Sequence, residues 1–197
     1  TIVLKSSPSL LATVSIGFTS NNPGEGTVSP ASVSFDDFNW NVPQTVTITG
    51  VDDAVADGNV GYKIVTGAAV SGDGSYNGKN VPDVSVTNLD NDSASIVVTP
   101  SSGLTTSETG GTASFSMFLS SQPTASVTVP ISSSNSAEGT VSTASLTFTA
   151  ANWATPQMVT VTGVDDFVAD GNTAYSIVTG AATSGDANYS GLNASDV

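Results

Sequence analysis

The chain has 197 residues and carries 17 acidic residues against three lysines, which gives a net charge of −14 at pH 7. This charge argues against nucleic acid and anionic membranes as partners, because both are recognised by basic surfaces. The absence of cysteine and histidine excludes disulfides and removes the usual protein ligands of zinc, copper and haem. No apolar run approaches the roughly 20 residues of a membrane-spanning helix.

Two copies of one unit follow each other along the chain, 113 positions apart. The stretch EGTVSPASVSF from Glu25 returns as EGTVSTASLTF from Glu138, and GVDDAVADGN from Gly50 returns as GVDDFVADGN from Gly163. Such periodicity is typical of repeat architectures. We therefore predict two domains, 1–92 and 93–197. Because each copy contains one segment that the other does not, we expect the first to lack its opening strand and the second the end of its last strand.

Taken in chain order, the segments of one unit predict β-strands throughout. SIVVTP, ASFSMFL, ASVTVPI, ASLTFT, QMVTVTG and AYSIVTG are short, alternating and rich in β-branched residues, and DVSVTN supplies a seventh strand at the end of the first unit. No segment has the apolar spacing of an amphipathic helix. The pattern predicts an all-β chain of two tandem seven-stranded immunoglobulin-like β-sandwiches.

Most acidic residues fall in connections that strand parity places at one end of each sandwich. Successive antiparallel strands reverse direction, so alternate connections meet at the same end. In the second unit these connections contain Glu108, Glu138, Asp165, Asp166 and Asp170; in the first they contain Glu25, Asp52, Asp53, Asp57, Asp90 and Asp92. Asp73 and Asp186 fall at the opposite end by the same parity, and we expect them to form turns.

Several carboxylates at one end, without a lysine nearby in sequence, require positive charge from elsewhere. Ca²⁺ suits them, since it takes six to eight oxygen ligands in irregular geometry, whereas Mg²⁺ demands a stricter octahedron. The sequence therefore predicts a calcium site at this end of each unit. The alternative is that these aspartates only cap backbone amides, as is ordinary in turns.

The aromatic residues have predicted structural roles, with one alternative. Trp40 and Trp153 precede a strand and are expected to close one end of each sandwich, while Tyr62 and Tyr175 lie on alternating strands and are expected in the cores. A carbohydrate-binding module would need an exposed aromatic platform. We predict no enzyme, because the carboxylates have no histidine or basic partner. The side chains that such a platform would use are Trp40, Trp153, Tyr76 and Tyr189.

Three motifs give the chain a family resemblance. SETGGTASFSMFLS opens the second unit, VTVTGVDDFVADG contains its acidic turn, and VSVTNLDND closes the first unit. Together they resemble bacterial Calx-β modules, related to the calcium-binding domains of sodium–calcium exchangers. The resemblance implies calcium at the end facing the next module. It assigns Asp52, Asp53, Asp57, Asp90 and Asp92 to a first site, and Glu108, Asp165, Asp166 and Asp170 to part of a second.

The acidic turns depart from the exchanger pattern, because Gly58, Asn59, Gly171 and Asn172 stand where exchanger modules have further acids. Fewer carboxylates predict fewer ions and weaker binding. The resemblance implies a spacer and adhesion segment of a large extracellular bacterial surface or secreted protein, rigidified by Ca²⁺ at its inter-domain junctions. Its partners would be neighbouring repeats, with a surface protein or glycan as target. A calcium-independent spacer and a carbohydrate-binding module are the alternatives.

Overall fold

The computed structural model describes residues 1–168 and 171–197 of the chain. It divides into two compact units. Unit 1 comprises Thr1–Asp53 and Asp57–Asp90, and unit 2 comprises Ala54–Ala56 and Asn91–Val197. All regular secondary structure in these ranges is β-strand, so the prediction of an all-β fold is confirmed. No helix within the described residues has the length and apolar character needed to cross a membrane.

Unit 1 contains seven strands within its described residues, arranged in two sheets. They are β1 (Val14–Ser20), β2 (Gly26–Ser29), β3 (Ser32–Phe35), β4 (Thr47–Gly50), β5 (Val60–Thr66), β6 (Val70–Ser71) and β7 (Val84–Asn88). The larger sheet has the order β3-β1-β5-β7, with β6 also pairing with β1, and the smaller sheet pairs β2 with β4. All the pairings are antiparallel.

Unit 2 also contains two antiparallel sheets. Its strands are β8 (Ile96–Thr99), β9 (Thr112–Leu119), β10 (Val127–Ser133), β11 (Gly139–Val141), β12 (Ser145–Phe148), β13 (Gln157–Gly163), β14 (Ile177–Thr179) and β15 (Thr183–Ser184). One sheet has the order β12-β10-β14, with β15 also pairing with β10, and the other has the order β11-β13-β9-β8.

The alternation of apolar and polar residues explains why these segments are strands with one buried face. In unit 2, β10 buries Val127, Val129 and Ile131 on one side, as expected from the two-residue period of a strand. These side chains share a core with Phe115 and Val159 from the other sheet. Each unit has one such core, so its two sheets pack face to face.

The structure differs from the predicted strands in two ways. The segment AYSIVTG, predicted as one strand, forms only the three residues of β14; among the described residues no strand pairs with Tyr175 as β7 pairs with Tyr62 in unit 1. Four short strands were missed, because two to four residues are too few to establish a period of two. They are β2, β6, β11 and β15.

A glycine beneath a tyrosine fixes the start of β2 and of β11. A Cβ atom on Gly26 would overlap the hydroxyl of Tyr62, and one on Gly139 would overlap the hydroxyl of Tyr175. Tyr62 is buried and Tyr175 is half-buried against its core. The Glu-Gly dipeptide of each repeat therefore combines a carboxylate with the one residue type that lets the tyrosine lie across the strand.

Candidate metal centre

Three connections of unit 1 meet at one end of its sandwich. The Val51 amide donates to the Glu25 carbonyl oxygen at 3.0 Å, which joins the β1–β2 connection to the end of β4. The Asn88 side-chain amide donates to the Val51 carbonyl oxygen at 2.6 Å, which adds the end of β7. These main-chain positions are set by strand pairing, since Gly26 lies opposite Gly50 in the ladder.

Three carboxylates converge where these connections meet, and we call them the acidic cluster: Glu25, Asp53 and Asp57. Each offers a carboxylate oxygen, and these oxygens all lie within 4.8 Å of one another. Glu25 is half-buried, whereas Asp53 and Asp57 are exposed. Residues from two connections thus form a small oxygen-rich site open to solvent. Carboxylates at such spacing are typical ligands of a hard divalent cation.

Asn88 holds Glu25 in the cluster. Its side-chain amide donates to Glu25 Oε2 at 3.1 Å as well as to the Val51 carbonyl oxygen. A Cβ on Gly50 would meet the side-chain oxygen of Asn88, so the glycine makes room for the asparagine. This positioning residue was missed in the sequence, where the only signal was its place directly before LDND.

Asp90 lies beside the cluster and already accepts a hydrogen bond. Its Oδ2 accepts from the Gly58 amide at 2.6 Å, and its own amide donates to Asn59 Oδ1 at 2.9 Å. Gly58 has φ of 79°, a conformation that favours glycine over residues with a side chain. The Gly-Asn pair that replaces further acids in this turn therefore connects the turn to the end of β7.

The charges of the cluster act on one another. Desolvation raises the pKa of Asp57 above its usual value of 3.8, and the neighbouring carboxylates of Glu25, Asp53 and Asp90 raise this pKa further. A raised carboxyl pKa means that the folded chain disfavours the ionised form of this group. A bound cation would relieve the same repulsion that a proton relieves.

The remaining predicted ligands of the first site lie outside the acidic cluster. Asp52 is exposed and is not among the three carboxylates that converge. Successive side chains of an extended chain point in opposite directions, so an Asp-Asp pair presents one carboxylate to each side. Asp92 is half-buried and belongs to unit 2.

In unit 2 the main chain repeats the arrangement. The Val164 amide donates to the Glu138 carbonyl oxygen at 3.0 Å, as Val51 does to Glu25 in unit 1. Glu108 and Glu138 both line an open groove at this end. Asp165 is exposed, while Asp166 accepts a bond from the Val168 amide at 2.7 Å. Asp170, the counterpart of Asp57, lies outside the described residues.

The opposite end of each unit has aspartates of a different kind. Asp73 accepts from the amides of Ser9 and Ser75, both at 2.8 Å, and these bonds lower its pKa. Asp186 accepts from the amides of Thr124 and Asn188; burial acts to raise its pKa, but these bonds outweigh it and lower the pKa overall. The predicted turn role of Asp73 and Asp186 is confirmed.

The aromatic side chains named for a sugar-binding platform are buried or partly buried in the cores. Tyr189 is only 1% exposed and lies in the core of unit 2, so its listing as a platform residue was wrong. Trp40, Trp153 and Tyr76 pack partly buried against the cores.

Comparisons with known proteins assign no family to the chain. No protein-family model matches it, and no curated protein matches it. Six chains of solved structures match. One is the structure of domains 1–6 of the surface layer protein SbsC, with 17% sequence identity and a TM-score of 0.32. That match covers 86% of this chain and 19% of the other, so this chain spans about a fifth of that structure.

Proposed function

We propose that the chain is a calcium-binding repeat segment of an extracellular bacterial surface or secreted protein, and that the acidic cluster of unit 1 binds one Ca²⁺. The main support is the convergence of Glu25, Asp53 and Asp57, whose oxygens lie within 4.8 Å of one another. Like charges this close repel each other, and the raised pKa of Asp57 reflects that repulsion in part. A divalent cation would turn the repulsion into attraction.

The ligand chemistry favours Ca²⁺ over Mg²⁺. Ca²⁺ takes six to eight oxygen ligands in irregular geometry and accepts bidentate carboxylates, whereas Mg²⁺ demands a near-ideal octahedron and keeps several waters. The acidic cluster is an irregular set of three carboxylates from two connections, which suits the more permissive ion. Because only three carboxylates converge and two of them are exposed, we expect weak binding, with a Kd of about 10⁻⁴–10⁻³ M as in extracellular modules.

The role that follows is mechanical rather than catalytic. Millimolar calcium outside a cell would neutralise and order the acidic turn, and we expect this to stiffen an array of such repeats, as the resemblance to Calx-β modules implies. The partners in this proposal are neighbouring repeats, with a surface protein or glycan as target. The position of the cluster among loops at the end of a rigid sandwich is compatible with such a role.

Thermal unfolding of the whole chain tests the proposal. With a Kd of about 1 mM, about 10 mM CaCl₂ should stabilise unit 1 by roughly 1.4 kcal/mol relative to chelator. Asp57→Asn should abolish most of this gain. Asp37→Asn is the matched control, because Asp37 lies at the opposite end of unit 1 from the cluster. It directly follows the end of β3, which pairs with the start of β1, whereas the cluster follows the end of β1.

Each result leads to a distinct conclusion. A calcium gain that Asp57→Asn removes and Asp37→Asn keeps supports the site. A gain that both variants retain indicates binding elsewhere and contradicts the assignment of this cluster. The same melting temperature in calcium and chelator would favour the calcium-independent spacer. An equal gain with MgCl₂ would contradict the preference for Ca²⁺.

A further inference from the structure

The connection that follows β6 contains a dipeptide with a chemistry of its own. Asn77–Gly78 is the only Asn-Gly pair in the chain, and both of its residues are exposed. In such a pair the main-chain nitrogen of the glycine can attack the side-chain carbonyl carbon of the asparagine, because glycine has no side chain to hinder the approach and adopts many backbone conformations. The pair is therefore a candidate for spontaneous deamidation.

Hydrogen bonds close this pair into a turn, which we call the asparagine turn and define as residues 69–79. The Gly78 amide donates to the Ala69 carbonyl oxygen at 2.8 Å, and the Ala69 amide donates to the Lys79 carbonyl oxygen at 2.8 Å. Ala69 is 4% exposed and belongs to the core of unit 1, so the glycine end of the turn is anchored on a buried residue. The nitrogen that must attack is thus already engaged as a donor.

The reacting side chain is held as well. Asn77 Oδ1 accepts from the Ser71 amide at 3.2 Å, and the Asn77 amide donates to the Asp73 carbonyl oxygen at 2.9 Å. Ring closure requires the Gly78 nitrogen to lose its proton, and the bond to Ala69 occupies that proton. The turn must therefore open before the reaction, and local opening of this kind costs free energy.

Unit 2 contains the same turn without the reactive side chain. The Gly191 amide donates to the Ala182 carbonyl oxygen at 2.8 Å, and the Ser190 amide donates to the Asp186 carbonyl oxygen at 2.9 Å. Gly78 has φ of 77° and Gly191 has φ of 82°, so the two backbones agree. Because unit 2 forms this turn with a serine, the geometry of the turn does not require an asparagine.

We propose that Asn77 is a deamidation site controlled by opening of the asparagine turn, so that modified chains record past openings of this end of unit 1. The Gly78 nitrogen forms a bond to Asn77 Cγ, the Cγ–Nδ2 bond breaks, and ammonia leaves with the proton from Gly78. Water then opens the cyclic imide at either carbonyl and yields aspartate or isoaspartate. Isoaspartate adds a main-chain atom between the two residues, so the turn cannot close in its original register.

The test is mass spectrometry with peptide mapping of the 197-residue chain, incubated in chelator at mildly alkaline pH with and without denaturing guanidinium. We expect Asn77 to deamidate at least about tenfold more slowly in the folded chain, because only the open fraction of the turn reacts. Asn77→Ser introduces the residue that unit 2 has in this turn, and it should remove the modified peptide.

A second variant tests the control by the turn while the chain stays folded. Asp73 accepts from the Ser75 amide at 2.8 Å inside the asparagine turn, so Asp73→Ala should open the turn more often and accelerate deamidation of Asn77. Asp52→Ala is the matched control, because Asp52 is exposed at the other end of unit 1, and it should leave the rate unchanged. Tryptophan fluorescence checks that both variants remain folded.

Each outcome decides for or against the proposal. Deamidation at residue 77 that is slow in the folded chain, and faster in guanidinium and in Asp73→Ala, supports it. Equal rates with and without guanidinium would overturn it, because the turn would then give no protection. Equal rates in Asp73→Ala and Asp52→Ala, or no modification of residue 77 even in guanidinium, would overturn it as well. Because chelator is present throughout, these results do not depend on whether the acidic cluster binds calcium.

Discussion

Removing the Tyr189 hydroxyl should destabilise unit 2 strongly. This hydroxyl donates to the Ser121 carbonyl oxygen at 2.7 Å and accepts from the Ser121 amide at 3.1 Å. It also lies 2.8 Å from Ser121 Oγ. Tyr189 is 1% exposed and Ser121 is fully buried, so water cannot replace the lost partner in Tyr189→Phe. A buried donor and a buried acceptor are each left unpaired.

The expected cost follows from that count. An unsatisfied buried polar group costs about 1–3 kcal/mol, so two groups together should cost about 2–6 kcal/mol. Unit 1 contains the matched control, because the Tyr76 hydroxyl makes the equivalent bonds to Ser6 at 2.6 and 2.7 Å. That pair is more exposed, so water can substitute, and Tyr76→Phe should cost only about 0.5–1.5 kcal/mol.

Urea unfolding followed by tryptophan fluorescence measures both effects. Each unit has one tryptophan, so Trp40→Phe leaves Trp153 to report on unit 2, and Trp153→Phe leaves Trp40 to report on unit 1. The linear dependence of the free energy of unfolding on urea gives the two costs separately. A cost below about 0.5 kcal/mol for Tyr189→Phe, or a larger cost in unit 1 than in unit 2, would refute the argument from burial.

Three further predictions concern charge and packing. The folded-state pKa of Asp57 lies above 3.8, so in chelator the free energy of unfolding of unit 1 should rise as the pH falls from 7 towards 4. Asp57→Asn should raise the melting temperature of unit 1 at pH 7 and reduce this gain on acidification. A variant with the same pH profile as the original chain would contradict this prediction. Asp186 has a lowered pKa, so Asp186→Asn should destabilise unit 2 at neutral pH, with a loss that shrinks below pH 3.8. Gly26→Ala should cost about 1–3 kcal/mol through overlap with the tyrosine hydroxyl, whereas Gly61→Ala, with no atom within 4 Å of the added Cβ, should change the free energy of unfolding by less than about 0.5 kcal/mol.

Strand identity was predictable where alternation was long enough. In ASFSMFL every second residue is apolar, and in QMVTVTG Val159 and Val161 alternate with threonine; these segments are β9 and β13. Strand parity also located the acidic connections of unit 1 at one end, where Glu25, Asp53 and Asp57 now lie within 4.8 Å of one another. Parity survives missed strands that add no reversal: β6 pairs antiparallel with β1 as β5 does, and β15 pairs antiparallel with β10 as β14 does.

The side-chain detail of the site was not predictable, because it depends on contacts between distant residues. Asn88 binds Glu25 across 63 positions, and no local pattern distinguishes it from an ordinary strand end. Two identical neighbours, Asp52 and Asp53, give no sequence signal for which of them joins the cluster, and the structure shows that it is Asp53. The burial of Tyr189 depends on Ser121, 68 positions away. The family resemblance, which no comparison tests, remains a prediction.

The two ends of unit 1 contain aspartates in different bonding states. At one end Asp73 has its oxygens occupied by main-chain amides, as Asp186 has at the equivalent end of unit 2, which leaves little for a dissolved cation to bind. At the other end of unit 1, Asp57 and its neighbours leave carboxylate oxygens facing one another in solvent. Unit 1 is therefore directional in its response to the surroundings. Near neutral pH, a change in salt or divalent cations acts on one tip more than on the other, although both tips contain aspartate.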